Sequence, residues 1–216
     1  EASSSRGTPL TVQPDGSVLA GGKAPPKETY TLNAVSQLAG VRFLRIEALT
    51  HKSFRKQGPG RASNGNFVLS NLKVFATPLD PTEGSRRPIK LVSTQATHEQ
   101  NKKHLSAAAT LDTNVDRTGW AVDLGGIGKD QALVIGFQQP ISHAGGTRFE
   151  FELRFANGGS HIIGRPRLSL SAEPDPPVVV GGGQPDALTA AYAAVKRREL
   201  NDSHRRELLP VFGVRD

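Results

Sequence analysis

Apolar and polar positions alternate with a period of two in one segment of this chain after another. In the cleanest run, Phe149, Phe151, Leu153 and Phe155 fall on one side while Arg148, Glu150, Glu152 and Arg154 fall on the other. Successive side chains of a strand point to opposite faces, so this pattern predicts a strand with one buried and one wet face. Tyr30, Leu32 and Ala34 alternate with Thr29, Thr31 and Asn33, and Leu44, Ile46 and Ala48 with Arg45 and Glu47. Both segments read as half-buried strands. Further strands are predicted over Gly16 to Ala20, Phe67 to Ala76, Ile89 to Thr94 and Ala132 to Phe137, separated by Gly, Pro, Asn or Asp. After the Asn157-Gly158-Gly159 turn, Arg167 to Ser171 alternates again, which predicts a hairpin with the preceding strand. Pro166 argues for an edge position in that second arm, because proline has no N–H to give a ladder.

Many short strands with turn punctuation and no interleaved helices predict an all-β fold, an antiparallel β-sandwich of the jelly-roll type, over residues 10–173. Residues 1–9 are Ser/Gly-rich and expected to fray. Residues 174–185 form a Pro/Gly linker. Beyond it the composition turns to Ala, Leu, Lys, Arg and Glu, which predicts a helical tail over 186–216 that starts the next domain of a longer chain.

The chain has 216 residues, no cysteine, and a formal charge of +7. Without cysteine there is no disulfide framework, thiolate zinc site or covalent haem attachment. No apolar run is long enough to span a bilayer. The amino terminus lacks the layout of a signal peptide, and a start at Glu1 without methionine suggests an excised fragment. One basic cluster is Arg42, Arg45, Lys52, Arg55, Lys56 and Arg61; another is Arg86, Arg87, Lys90, Lys102 and Lys103. Neither carries the aromatic pairs that stack unpaired bases, and no helix-turn-helix or zinc-finger pattern accompanies them, so nucleic acid is not the expected partner. The clusters read as solvated basic surface, with an anionic partner such as an acidic polysaccharide as the alternative. No G-x-S-x-G elbow, Walker loop or G-x-G-x-x-G is present, and Glu150 and Glu152 lie between arginines on the wet side of their strand. An enzyme is therefore not expected. The six histidines show no metal-ligand spacing.

The stretch GPGRASNGNFVLSNLKVFATP (Gly58 to Pro78) is the most distinctive in the chain. It resembles a region of large secreted planctomycete proteins that carry a planctomycete-type cytochrome c domain. DGSVLAGG (Asp15 to Gly22), ETYTLNA (Glu28 to Ala34), TGWAV (Thr118 to Val122) and SHIIGRPRLSLS (Ser160 to Ser171) match in the same order, although Pro166 stands where an aromatic is usual and Asn71 where an acidic residue is frequent. The resemblance implies a β-sandwich module between other domains of an exported, secreted or periplasmic protein, with haem carried elsewhere. A second likeness, over Ala109 to Trp120, is to discoidin-like, galactose-binding sandwiches. It implies one structural calcium ion near Asp112, Asn114 and Thr118, completed by Asn71. Asn71 is neutral, which lowers the charge of that ligand set.

Six residues are candidates for a carbohydrate site: Arg61, Asn64, Asn66, Trp120, His161 and Arg165. Sugars offer C–H faces to an aromatic platform and hydroxyls to converging donors. Trp120, the only tryptophan, is a platform or a core residue; Arg61, Asn64 and Asn66 bind a ligand or tie a Gly-rich loop to its own backbone. His161 and Arg165 begin a strand beside a Gly-rich turn and join a polar ligand site or serve as structural hydrogen-bonding groups. The function expected is a non-catalytic carbohydrate-binding module, with an interdomain scaffold or protein-docking domain as the alternative.

Overall fold

The computed structural model describes residues 1–112 and 117–181. The chain divides into two units, Glu1–Val180 and Gly181–Asp216. The expected helical tail lies outside the described residues.

The strands, in chain order, are β1 (Ala2–Ser4), β2 (Leu10–Val12), β3 (Val18–Ala20), β4 (Glu28–Ser36), β5 (Val41–Ala48), β6 (Val68–Leu69) and β7 (Asn71–Pro78). They continue with β8 (Arg87–Ile89), β9 (Leu91–Ala96), β10 (Trp120–Ala121), β11 (Gln131–Ile141), β12 (Thr147–Phe155) and β13 (Pro166–Ser171). All pairings are antiparallel. One sheet has the order β1-β4-β12-β7-β8 and the other β13-β5-β11-β9, with two small ladders, β6–β10 and β2–β3. Among the described residues the helical elements are three short 3-10 turns, at Arg55–Gln57, Pro81–Glu83 and Ala108–Leu111.

Registers show why the alternating pattern produces this core. Phe151 of β12 lies between Leu32 of β4 and Val74 of β7, and Leu153 lies between Tyr30 and Leu72. Each row is apolar and inward, and it meets Leu44, Ile46, Leu133 and Ile135 of the second sheet in one continuous core. The architecture is therefore sandwich-like and all-β, as the period-two segments predict.

Three expectations change. β12 and β13 are not a hairpin, since they belong to different sheets. The ten residues joining them carry Ile162 and Ile163, both fully buried, across the end of the core. A tight hairpin would strand these side chains in water. The first residues do not fray either. β1 pairs with β4, and the Glu28 carboxylate clips the following segment by accepting from Ser5 Oγ, the Arg6 N–H, Thr8 Oγ1 and the Thr29 N–H. Finally, Glu47 lies on the polar side of its strand yet is wholly buried, because Arg167 stands directly opposite on β13 and grips it through two bonds of 2.7 and 3.0 Å. β13 is an edge strand, as Pro166 requires.

Candidate functional site

At one end of the sandwich, three loops are bound to one another by backbone hydrogen bonds. The segment after β3 joins the segment before β13 through Ala20 N–H to Gly164 O at 2.9 Å. The Gly-rich loop joins the same segment through Arg61 N–H to Ile162 O, Gly164 N–H to Pro59 O and Val68 N–H to His161 O. Two glycines make this possible. A Cβ on Gly60 would stand 1.9 Å from Asn66 O, so the loop folds back on itself only without a side chain there. A Cβ on Gly164 would stand 2.3 Å from the ring of Phe54, which therefore packs directly on bare backbone.

The loops enclose a shallow cleft of about 330 Å³ lined by Gly21, Gly22, Ser53, Phe54, Arg55 and Arg61 among others. Phe54 is half-buried and Arg55 exposed. Lys56 and Gln57, which follow, hold φ of 54° and 49°, a left-handed backbone that costs side-chain-bearing residues about 1–3 kcal/mol each. Arg61 Nη2 donates to Gly21 O at 2.8 Å and Gly22 O at 2.6 Å. Its Nη1 is buried without a hydrogen-bond partner among the described residues, as is the Tyr30 hydroxyl. Burial pushes that hydroxyl up to about 12, against the pull of the Arg61 charge.

Most of the candidates read from the sequence serve the fold. Trp120 is 0% exposed; its ring meets Phe67 edge-on at 4.9 Å, and Nε1 donates to His98 O at 2.8 Å. It is core, not platform. Asn64 donates to Asp123 Oδ2 and accepts from the Asn66 N–H. Asn66, 3% exposed, donates to Gln100 Oε1 and accepts from the Val122 N–H. The His161 ring bonds Gly158 O at 2.8 Å. Arg165 holds Ser17 Oγ and Asp15 Oδ2. Burial raises the Asp15 carboxyl, but the Ser17 hydroxyl and N–H with the charges of Arg165 and Arg167 outweigh it, leaving the group below its usual range. Of the six, only Arg61 lines the cleft.

Replacing Asn66 with alanine leaves the buried Val122 N–H unsatisfied, and it is expected to cost about 1–3 kcal/mol. Urea denaturation checks this. An unchanged midpoint would mean that the loop is held by other bonds.

Of the residues in the calcium expectation, Asn71 is already engaged with backbone carbonyls. Asn71 turns its Nδ2 toward Thr110 O at 3.3 Å and Asp112 O at 3.1 Å, so an amide donor already serves the carbonyls that a cation would bind. Calcium takes six to eight oxygens, carboxylates among them. Asn114 lies outside the described residues, and no group of three His, Asp or Glu close enough to hold a metal occurs among the described ones.

The cleft adds residues that the alternating pattern did not single out: Ser53, Phe54 and Arg55. A usable signal does exist, because the chain has no acidic residue between Asp15 and Glu28, between Glu47 and Asp80, or between Glu152 and Glu173. Those three stretches supply the three loops. Among the described residues no ion pair engages Arg6, Lys23, Lys52, Arg55, Lys56 or Arg61. No family model matches the chain, and neither a curated protein nor a solved structure matches it.

Proposed function

We propose that this domain is a non-catalytic carbohydrate-binding module of the galactose-binding-like, jelly-roll type, within a larger exported protein, and that it binds at the loop-end cleft. One observation carries the reading: three mutually bonded loops present a half-buried aromatic, Phe54, beside an exposed guanidinium, Arg55, over a floor containing Gly21 and Gly22. A ring face packs on sugar C–H groups, a guanidinium donates to hydroxyl or carboxylate oxygens, and side-chain-free floor lets a pyranose approach closely. The loops are fixed beforehand, which lowers the ordering cost of binding.

The scaffold reading is favoured by a different observation, the internal use of Asn64, Asn66, His161 and Arg165. Calorimetry against a panel of neutral and charged polysaccharides separates the two. The binding reading expects at least one ligand, and expects Arg55→Ala to weaken it roughly tenfold or more with an unchanged melting curve, since a hydrogen bond to a charged group contributes about 1.5–3 kcal/mol. No binding to any member of the panel overturns it and leaves the scaffold.

A further inference from the structure

We infer that the ligand is a linear polyanionic polysaccharide, sulfated or carboxylated, which crosses two basic clefts joined by the segment from Gly21 to Thr29. This rests on the carbohydrate-binding reading and names its substrate class. The first cleft is the one at Phe54, Arg55 and Arg61. The second, of about 180 Å³, is lined by Ser5, Arg6, Lys27, Glu28, Thr29 and Arg154 among others. Ala24 lines the first and Lys27 the second, with only Pro25 and Pro26 between them. Proline restricts φ at both positions, and the backbone bends at Pro26 and Lys27, so the chain itself limits how the two lining residues are spaced. The spacing is anchored as well, because Ser160 donates from its hydroxyl to Ala24 O and from its N–H to Pro26 O, both at 3.2 Å.

Charge decides the class of ligand. Arg6 and Arg154 are exposed in the second cleft, Arg55 is exposed in the first, and Lys23 and Lys52 are exposed in the loops that form the first. Among the described residues that line either cleft the only carboxylate is Glu28, which is 3% exposed and turned inward onto four donors. These cations face solvent, and among the described residues no ion pair engages Arg6, Arg55 or Arg154. A neutral glycan would use the aromatic face and leave their field without effect. A repeating anion uses both clefts, and joining two weak sites on one ligand raises affinity without any new contact.

The test compares dextran sulfate with plain dextran, which share a backbone and differ in charge, and adds duplex DNA as a third arm. Dextran sulfate is expected to bind and plain dextran not to. Its affinity should fall at least tenfold as salt rises from about 50 to 500 mM, because exposed charges are screened. Arg55→Ala and the pair Arg6→Ala with Arg154→Ala should each weaken a long chain about tenfold, with unchanged melting curves. A sulfated monosaccharide, which fills one cleft at most, should respond to only one of the two variants. Equal binding of plain dextran, or binding insensitive to salt, overturns the polyanion while the carbohydrate site stands. Loss of binding in neither variant overturns the two-cleft track. DNA binding as tight as dextran sulfate overturns recognition of a polysaccharide. If no arm binds and the wider glycan panel is also silent, both proposals fall.

Discussion

Replacing Trp120 with alanine is expected to lower stability by about 3–5 kcal/mol, the range for deleting a large buried aromatic. Three separate losses combine. The side chain is fully buried, so its removal leaves a cavity in a core that is packed as tightly as a crystal. Its edge-on contact with Phe67, at 4.9 Å and 75°, disappears. The His98 carbonyl loses its donor, which lay at 2.8 Å. For a chain of this size each kcal/mol lowers the melting temperature by about 2–4 °C, so a drop of about 10 °C is the central expectation. Thermal melts of wild type and variant measure it. A fall of no more than a degree or two would return Trp120 to the role of an exposed platform.

The second large effect belongs to the buried pair of Glu47 and Arg167. Arg167→Met alone leaves the Glu47 carboxylate in the interior without its cation, and breaking such a pair costs about 3–5 kcal/mol. The hydrogen bond to Glu47 is the main reason that the Arg167 guanidinium is held still more firmly in its charged form, against a burial penalty. Substituting both, as Glu47→Leu with Arg167→Met, removes the charge and its desolvation penalty together, so the double variant is expected to recover most of the loss. Urea unfolding of the two singles and the double closes the cycle. Strict additivity would show that the two side chains do not act as a pair.

These two cases show where the chain's local pattern is a sufficient guide. β12 is legible because every inward position from Phe149 to Phe155 is large and apolar and every outward one charged, and β4 and β5 keep a similar alternation over Tyr30 to Leu32 and Leu44 to Ile46. Glu47 breaks the pattern because its partner lies 120 residues away, on a strand whose neighbour no local period can name. Trp120 follows a glycine in a short segment of two strand residues, too brief for any period to establish. Its burial depends on Phe67 and His98, which other parts of the chain deliver.

The same division runs through the candidate site. Composition marks Arg55 and Arg61 as members of a basic cluster, and the glycines of the Gly58 to Pro78 stretch mark a tight loop. Which donors remain available is a matter of who bonds whom across the loops: Asn64, Asn66 and Arg165 meet Asp123, Gln100 and Asp15 and are used up. Local pattern alone was enough for the long strands with strict alternation, for most of their buried faces, for the edge position of β13 and for the exclusion of thiol chemistry, because side-chain alternation and residue type are local properties. Only the tertiary structure decided strand order, the crossing of the Ala156 to Arg165 segment between sheets, the burial of Glu47 and Trp120, and the meeting of Phe54 with Gly164, since each depends on contacts between segments far apart in the chain.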